Sequence, residues 1–309
     1  MNPQPGSKPV SMEPSELARE ITTLARESSI EVNVQDEPVL DRGRALLVPG
    51  TRVYVSHLPG QAWEATARMC RAVREAGFEP IPHLPCRLVP SVDALERILG
   101  DFARAARPRG ILLVSGDYPE AAGPFAESRQ VLATGALERH GYTEVSLAGH
   151  PEGHPQVAAG TIRAAEIAKP AMAAAHGLSA SILTQFLFEP EPFIEWSRSL
   201  RAQGVRARLV CGLAGPAKVS TLFRYATRCG VGASIRALGA RPGSLKNLLG
   251  DLGPDRMLRA LAEARLAGRG EFDSVHFFGF GGFVRTAEWI AAVSAGEFAL
   301  REGAGFAVR

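Results

Sequence analysis

The first stretch with chemical potential is Glu144–Gln156, where titratable side chains follow an apolar run. It reads EVSLAGHPEGHPQ, so the run stops at Gly149 and is followed by His150, Glu152 and His154. The two prolines restrict the loop backbone, and an alanine-rich run typical of a helix comes next. Imidazole and carboxyl groups exchange protons near neutral pH, so this loop could serve acid–base chemistry. The alternative is a structural loop in which Glu152 caps the following helix.

Other apolar runs also end in polar residues within a Gly- or Pro-rich setting. The candidates at these ends are Glu31, Ser56, His57, His83, Asp117 and Gln185. Each has a structural alternative: His57 could bond a carbonyl group in its own loop, and Asp117 could form an Asx-turn. Gln185 could face either side of an alternating strand. The glycines of Gly279–Gly282 predict backbone that must leave room for a neighbouring group.

Glu31 is the hardest of these residues to explain as purely structural. It lies between Ile30 and Val32 inside a β-forming run. A carboxylate that faces a packed interior is costly unless it is paired or protonated. Because burial raises a carboxyl pKa, such a residue suits a general acid near neutral pH.

Eight β-type runs alternate with helical segments along the chain. The predicted strands are Ser29–Val34, Thr51–Ser56, Phe78–Leu84, Gly110–Ser115, Val145–Ala148, Ser179–Phe188, Arg206–Gly212 and Phe272–Phe280. The predicted helices are Pro14–Glu27, Ala62–Ala76, Ser91–Ala106, Pro124–His140, Pro155–His176 with an interruption at Pro170, Phe193–Ala202, Lys218–Cys229 and Val284–Ala295. A helical insert over Ser234–Ala267 precedes the last strand.

This alternation predicts an α/β fold, a (β/α)8 barrel of the TIM type, with its active site at the carboxyl ends of the strands. A doubly wound open sheet is the alternative, but no GxGxxG follows a strand and no GxxxxGK[ST] is present. Residues 1–13 are polar and Pro-rich, which predicts a disordered lead-in. Residues 14–309 are predicted to form one catalytic domain.

Composition narrows the function classes. The chain has 309 residues, 46% hydrophobic and 22% charged, as is typical of a soluble globular protein. Its formal net charge of +3 includes no dense basic block, so no nucleic-acid partner is indicated. No apolar run reaches the ~18 residues of a membrane span, and the polar N-terminal segment without an apolar stretch predicts no signal peptide. The four cysteines fit no zinc spacing, which predicts reduced cytoplasmic thiols and no metal site. A homo-oligomer stays open.

Five segments then form an ordered set: PIPHLPC (Pro80–Cys86), GILLVSGD (Gly110–Asp117), SLAGHPEGHP (Ser146–Pro155), ILTQFLFE (Ile182–Glu189) and VHFFGF (Val275–Phe280). They resemble the strand-end motifs of the methylenetetrahydrofolate reductase family. The resemblance runs from about Ser28 to Ala295. It implies a flavin-carrying barrel in which NADH or NADPH reduces FAD. Hydride then passes to 5,10-methylenetetrahydrofolate, giving 5-methyltetrahydrofolate.

The resemblance also implies roles for individual residues. Glu31 matches the general acid that assists opening of the methylene bridge, and Asp117 and Gln185 match contacts of the tetrahydrofolate substrate. The implied cofactor-binding residues are Ser56, His83, Gly116, Asp117, His154 and Glu166.

Some positions depart from the family pattern. Ser115 replaces an arginine and His150 a tyrosine, and Gly281-Gly282 stands where the last motif ends in arginine. Lys169 is the only cation expected near the diphosphate of FAD. A charge-assisted contact contributes roughly 1.5–3 kcal/mol, so losing two would weaken FAD binding by roughly 10²–10⁴-fold. The alternatives are direct hydride transfer without flavin, a non-catalytic or partner-dependent folate-binding barrel, and a lyase or methyltransferase on this scaffold.

Overall fold

The computed structural model describes residues 13–116, 118–229, 251–303 and 305–309. Within these residues, eight parallel strands close into a barrel. They are β1 (Ser29–Val32), β2 (Arg52–Val55), β3 (Glu79–Pro85), β4 (Gly110–Val114), β5 (Glu144–Gly149), β6 (Ser179–Leu187), β7 (Arg208–Ala214) and β8 (Ser274–Phe278). Each strand pairs with the next in chain order, and β8 pairs with β1. The predicted (β/α)8 barrel is confirmed.

Helices connect the strands and cover the outside of the barrel. They are α1 (Pro14–Arg26), α2 (Leu40–Arg44), α3 (Trp63–Glu75), α4 (Val92–Ala106), α5 (Ser128–Leu132), α6 (Ala136–Arg139), α7 (Ala159–Ala175), α8 (Pro190–Ala202), α9 (Val219–Cys229), α10 (Asp255–Leu266) and α11 (Phe283–Ser294). Short 3-10 turns span Val34–Val39 and Cys86–Leu88. Two small antiparallel ladders pair Ala217–Lys218 with Asp251–Leu252 and Phe298–Leu300 with Phe306–Val308.

The period-2 alternation of each strand separates an outer core from a barrel interior. On β1, Ile30 and Val32 pack outward in the main hydrophobic core, so Glu31 between them faces inward. A second, inner cluster fills the middle of the barrel with one residue from each of five strands: Tyr54, Ile81, Leu112, Leu183 and Val210. This inner layer separates an upper mouth, at the carboxyl ends of the strands, from a lower mouth at their amino ends.

Two predicted helices were wrong in detail. The single helix expected over Pro124–His140 is two short helices, α5 and α6, because Gly135 between them adopts a left-handed φ of 65°. The Thr134 hydroxyl accepts a hydrogen bond from the Ala136 N–H at 3.2 Å, next to the start of the second helix. No interruption occurs at Pro170: α7 runs through it, and its buried ring packs where a backbone hydrogen bond is lost.

Other predictions fall partly or wholly outside the described residues. Residues 1–12 of the predicted lead-in and residues 230–250 of the predicted insert are among these. The described end of the insert forms the ladder strand Asp251–Leu252 and helix α10. In the part of the chain that the structure covers, no helix combines the length and apolar character required to cross a bilayer.

Candidate active site

Glu31 lies at the upper mouth, where burial sets its protonation. Its side chain is 20% exposed. Desolvation by burial raises the pKa of its carboxyl from 4.5 to about 7, and the negative charge of Asp36 adds to this rise. A hydrogen bond from the Ser56 side chain opposes it. Because this pKa is close to neutral, a substantial fraction of Glu31 is protonated at physiological pH and can donate a proton.

Ser56 and His83 are the immediate neighbours of the Glu31 carboxyl group. Ser56 follows β2, and its backbone N–H donates to the carbonyl oxygen of Val32 at 2.9 Å. His83, on β3, places Nε2 3.6 Å from Glu31 Oε2. Burial lowers the pKa of His83 to about 3, with a further decrease from His57. The His83 imidazole is therefore neutral at pH 7, and no salt bridge lowers the pKa of Glu31.

His57 has structural contacts, but with a helix side chain and an aromatic ring rather than with the loop carbonyl group that the structural alternative expected. Its ring stacks on Trp63 with centroids 3.7 Å apart and an interplanar angle of 13°. Its Nδ1 lies 2.8 Å from Thr66 Oγ1, which also accepts a hydrogen bond from Gln61 Nε2 at 2.6 Å. His57 thus fastens the loop after β2 to α3.

His276, on β8, is an interior residue that the sequence analysis did not single out. It is fully buried, and its Nδ1 lies 2.9 Å from the hydroxyl of Ser29 on β1. Burial lowers the pKa of His276 to about 3. The Nε2 atoms of His276 and His83 are both buried without a hydrogen-bond partner among the described residues. The sequence feature that could have indicated His276 is a polar residue within the apolar run VHFF, at a position that strand alternation directs inward.

A chain of hydroxyl groups lies below Glu31. Tyr54 is the register partner of Glu31 on the neighbouring strand. Its hydroxyl lies 2.9 Å from that of Ser146, which lies 2.8 Å from that of Ser181. These three side chains are buried and pair with one another, as interior polar groups must.

Glu166 organises the loop after β5. It lies on α7, is 5% exposed, and accepts hydrogen bonds from the His150 backbone N–H at 2.8 Å and Trp196 Nε1–H at 3.0 Å. Desolvation raises the pKa of its carboxyl group. A Cβ on Gly149 would lie 2.9 Å from the Trp196 ring, so this close packing requires glycine. Both oxygens of Glu166 thus serve the fold; its predicted cofactor contact stays a prediction.

The two histidines of this loop are half-buried and adjacent. The rings of His150 and His154 meet edge to face with centroids 5.7 Å apart. His154 Nδ1 accepts the Gln156 backbone N–H at 3.2 Å. The neutral form of His154 therefore carries its proton on Nε2.

The helices around this loop carry more positive charge than the sequence analysis expected. Arg163, one turn before Glu166 on α7, places Nη1 3.6 Å from Glu166 Oε2, and that nitrogen is buried without a hydrogen-bond partner in the described residues. Lys169 is half-buried, and desolvation lowers its pKa, although the negative charge of Glu127 opposes this. Arg129 on α5 also acts on Lys169. Arg129 pairs with Glu127 at 2.7 Å and Arg163 with Glu166, so these carboxylates offset part of the positive charge.

The substrate positions predicted after β4 and on β6 are only partly described. Gly116 has a φ of 90°, and a Cβ there would lie 2.9 Å from the Tyr118 ring, so the turn requires glycine. Asp117 lies outside the described residues. Gln185 occupies a register shift of β6, where the Thr184 hydroxyl donates to the Gln185 carbonyl oxygen at 2.8 Å and accepts the Gly212 N–H at 2.9 Å.

The glycines after β8 leave room for the protein's own backbone. A Cβ on Gly279 would lie 3.0 Å from the Glu31 carbonyl oxygen, and one on Gly281 would lie 1.9 Å from that of Pro216. Gly282 has a φ of 100° at the start of α11. The predicted close approach is therefore a packing requirement between β1, the end of β7 and β8.

An aromatic cluster covers the β6–β8 side of the upper mouth, and sequence reasoning missed it. Its members are Phe186, Phe188, Phe278, Phe280 and the Tyr225 ring of α9. Phe280 lies 4.8 Å from Phe186 edge to face and stacks on Tyr225 at 4.3 Å. The acid residue therefore shares its mouth with flat apolar surfaces that suit a planar heterocycle.

The family model described as methylenetetrahydrofolate reductase matches residues 54–235. The chain belongs to this family. The matched segment contains Ser56, His83, Gly116, Asp117, His154, Glu166 and Gln185. Glu31 and His276 lie outside it, so their interest rests on the geometry above.

A curated relative is the 5,10-methylenetetrahydrofolate reductase of Pectobacterium carotovorum subsp. carotovorum, 25% identical over 170 residues. The alignment covers 54% of this chain and 54% of that protein, so the chain spans about half the length of the curated relatives it matches. Among solved structures, the 3-dehydroquinate dehydratase from Aquifex aeolicus VF5 has a TM-score of 0.38 and 9% identity, covering 59% of this chain and 77% of that one.

Proposed function

We propose that this protein reduces 5,10-methylenetetrahydrofolate to 5-methyltetrahydrofolate with electrons from NADH or NADPH, and that Glu31 is the general acid. One observation carries the proposal: an interior carboxyl group whose pKa burial raises to about 7, between a serine hydroxyl and a neutral imidazole. The family match supports the substrate class.

The reaction requires one proton and one hydride. In the substrate, a methylene carbon bridges two nitrogen atoms. When one carbon–nitrogen bond breaks, its electron pair stays on the leaving nitrogen, and protonated Glu31 donates its proton there. The carbon is left as a cationic iminium, which hydride converts to the methyl group. The Glu31 carboxylate formed in this step stabilises the adjacent cation and must regain a proton before the next turnover.

The described residues fit FAD as the hydride carrier. His83, Gly116 and His154 would lie along the cofactor, and Arg163 and Lys169 would neutralise its diphosphate. This fit rests on the buried Arg163 nitrogen without a hydrogen-bond partner among the described residues. The chemistry that FAD would supply when bound is hydride transfer between the reduced nicotinamide and the substrate carbon. Ser56 acts on Glu31 in this proposal, and Asp117 and Gln185 contact the substrate.

The test is oxidation of NADH and of NADPH by the purified chain, with and without methylenetetrahydrofolate and with and without added FAD. We expect oxidation that requires folate and increases with FAD, together with the visible absorbance of bound flavin. If a colourless protein oxidised the nicotinamide in the presence of folate and did not respond to added FAD, hydride would pass directly from the nicotinamide to the substrate without a flavin. Folate binding without oxidation of either nicotinamide would contradict the reductase proposal and leave a folate-binding barrel.

A further inference from the structure

A second polar site lies at the lower mouth, on the opposite side of the inner layer from Glu31. It is a cavity of about 250 Å³ at the amino ends of the strands. Its inward-facing lining comprises Arg52, Arg208, Ser29, Ser181, Ser274 and Tyr54, with Val210 on the apolar side. None of these residues has a role in the proposed reduction.

The charge balance of this cavity is positive. Arg52 pairs with Glu144 at 2.8 Å. Arg208 is exposed to the cavity, and no carboxylate of the described residues lies within 4 Å of its guanidinium group. Arg26 and Glu27 at the rim offset each other. One guanidinium charge is therefore left uncompensated, and guanidinium stays charged at every physiological pH.

Three serine side chains line the same cavity as Arg208. Ser29, Ser181 and Ser274 are each less than 8% exposed. Ser29 bonds His276 and Ser181 bonds Ser146. The Ser274 hydroxyl lines the cavity and forms no hydrogen bond with another described residue. Because its hydroxyl group makes no hydrogen bond with another described residue, Ser274 can donate to a molecule in the same cavity as the uncompensated arginine.

We propose that the lower mouth binds a small dianionic oxyanion, of the phosphate or dicarboxylate class. Arg208 would supply a forked pair of N–H donors, Ser274 a hydroxyl donor, and Arg52 a second charge shared with Glu144. The cavity is slightly smaller than the roughly 300–1,000 Å³ of ordinary ligand sites, which limits the occupant to a small molecule. This site does not depend on the reductase proposal.

The test is titration calorimetry of the full chain with inorganic phosphate and, separately, with succinate, both at constant ionic strength. Loss of a charge-assisted contact of roughly 1.5–3 kcal/mol predicts that Arg208→Gln weakens binding by about 10–100-fold. Ser274→Ala should weaken binding by about 2–10-fold. Arg206→Gln is the matched control: it removes the same charge from an exposed residue that does not line the cavity, and its affinity should equal that of the unmodified chain.

A variant that is expected to bind more tightly distinguishes a specific site from a general loss of affinity. Glu144→Gln removes the carboxylate that competes for Arg52, so it should tighten binding severalfold. Urea unfolding of each variant verifies that it is folded. Binding of either probe with this order of affinities supports the site, and the better probe identifies the class. No binding of either probe, or equal weakening by Arg208→Gln and Arg206→Gln, overturns the proposal.

Discussion

The two mouths of the barrel are built by the same strands, yet they handle charge in opposite ways. At the upper mouth, burial moves Glu31 and His83 toward their neutral forms, with pKa values of about 7 and about 3. At the lower mouth, Arg52 and Arg208 keep their charge because guanidinium does not deprotonate and both are partly exposed. Proton transfer needs a group whose charge can change, whereas a permanently charged guanidinium group can attract an anion at every physiological pH.

The inner layer makes this difference possible. Tyr54, Ile81, Leu112, Leu183 and Val210 fill the cross-section between the two ends, so the ends are separate environments. Among the described residues, two polar connections pass through it: hydroxyl groups from Tyr54 through Ser146 to Ser181, and the His276 ring bonded to Ser29. Changes at one mouth should therefore have limited electrostatic effect on the other.

The largest effect is expected from Glu31→Gln. It removes the proton donor while keeping the side-chain shape, so the folate-dependent rate should fall by roughly 10²–10⁴-fold. Steady-state oxidation of the nicotinamide measures this. Glu37→Gln is the matched control, an exposed carboxylate in the following turn, and should keep the full rate. Full activity in Glu31→Gln would show that the acid lies elsewhere.

Glu166→Ala should destabilise the upper rim strongly. It leaves two donors unpaired, the His150 N–H and Trp196 Nε1–H, which predicts a loss of about 2–4 kcal/mol in the free energy of unfolding. The lower-mouth counterpart Glu144→Ala breaks only a half-exposed ion pair and should cost about 1 kcal/mol or less. Urea unfolding gives both values. Similar losses of unfolding free energy in the two variants would contradict the inference that Glu166 contributes more to stability than the more exposed Glu144.

The raised pKa of Glu31 predicts a pH dependence of both rate and stability. Because the acid must be protonated, kcat/KM should fall about tenfold per pH unit above about 7. The folded state holds this proton more tightly than the unfolded state. The contribution of Glu31 to stability is therefore complete below pH 4.5 and is lost, by about 2–3 kcal/mol, as pH rises to about 7.

The difference in unfolding free energy between the unmodified chain and Glu31→Gln isolates the contribution of Glu31. The histidines of the upper mouth act in the other direction: their lowered pKa values stabilise the protein above pH 6.5 and are lost as pH falls. Subtracting the two pH profiles of unfolding free energy removes the histidine contribution. A flat difference between pH 4.5 and 7 would mean that Glu31 has an ordinary pKa.

Tyr54→Phe should have the smallest effect. It removes one hydroxyl group of the chain between the mouths and leaves the ring in the inner layer, so a loss of about 0.5–1.5 kcal/mol is expected. Urea unfolding measures it, with Tyr142→Phe as a comparison, since that hydroxyl makes one longer bond of 3.3 Å outside the barrel interior. A loss above about 3 kcal/mol would show that the hydroxyl chain supports the barrel as a whole.

Much of the fold follows from local patterns, and so do several site residues. Eight β-type runs alternating with helices predicted the barrel, and the Ile30–Val32 alternation placed Glu31 inside it. The errors arose where a single residue changed the local backbone. Gly135 divides one predicted helix, while Pro170 does not interrupt another. Arg163 and the aromatic cluster of the upper mouth were missed because their partners come from other elements.

By itself, the sequence determined the succession of strands and helices, the inward position of Glu31 and the family, because these depend on periodicity and short motifs. Tertiary structure decided the chemistry at each mouth. Ser29 and His276 are 247 residues apart and meet only because β8 closes against β1. Likewise, Glu31 has a pKa of about 7 only because closure of the barrel removes water from it, and no local pattern specifies that loss of hydration.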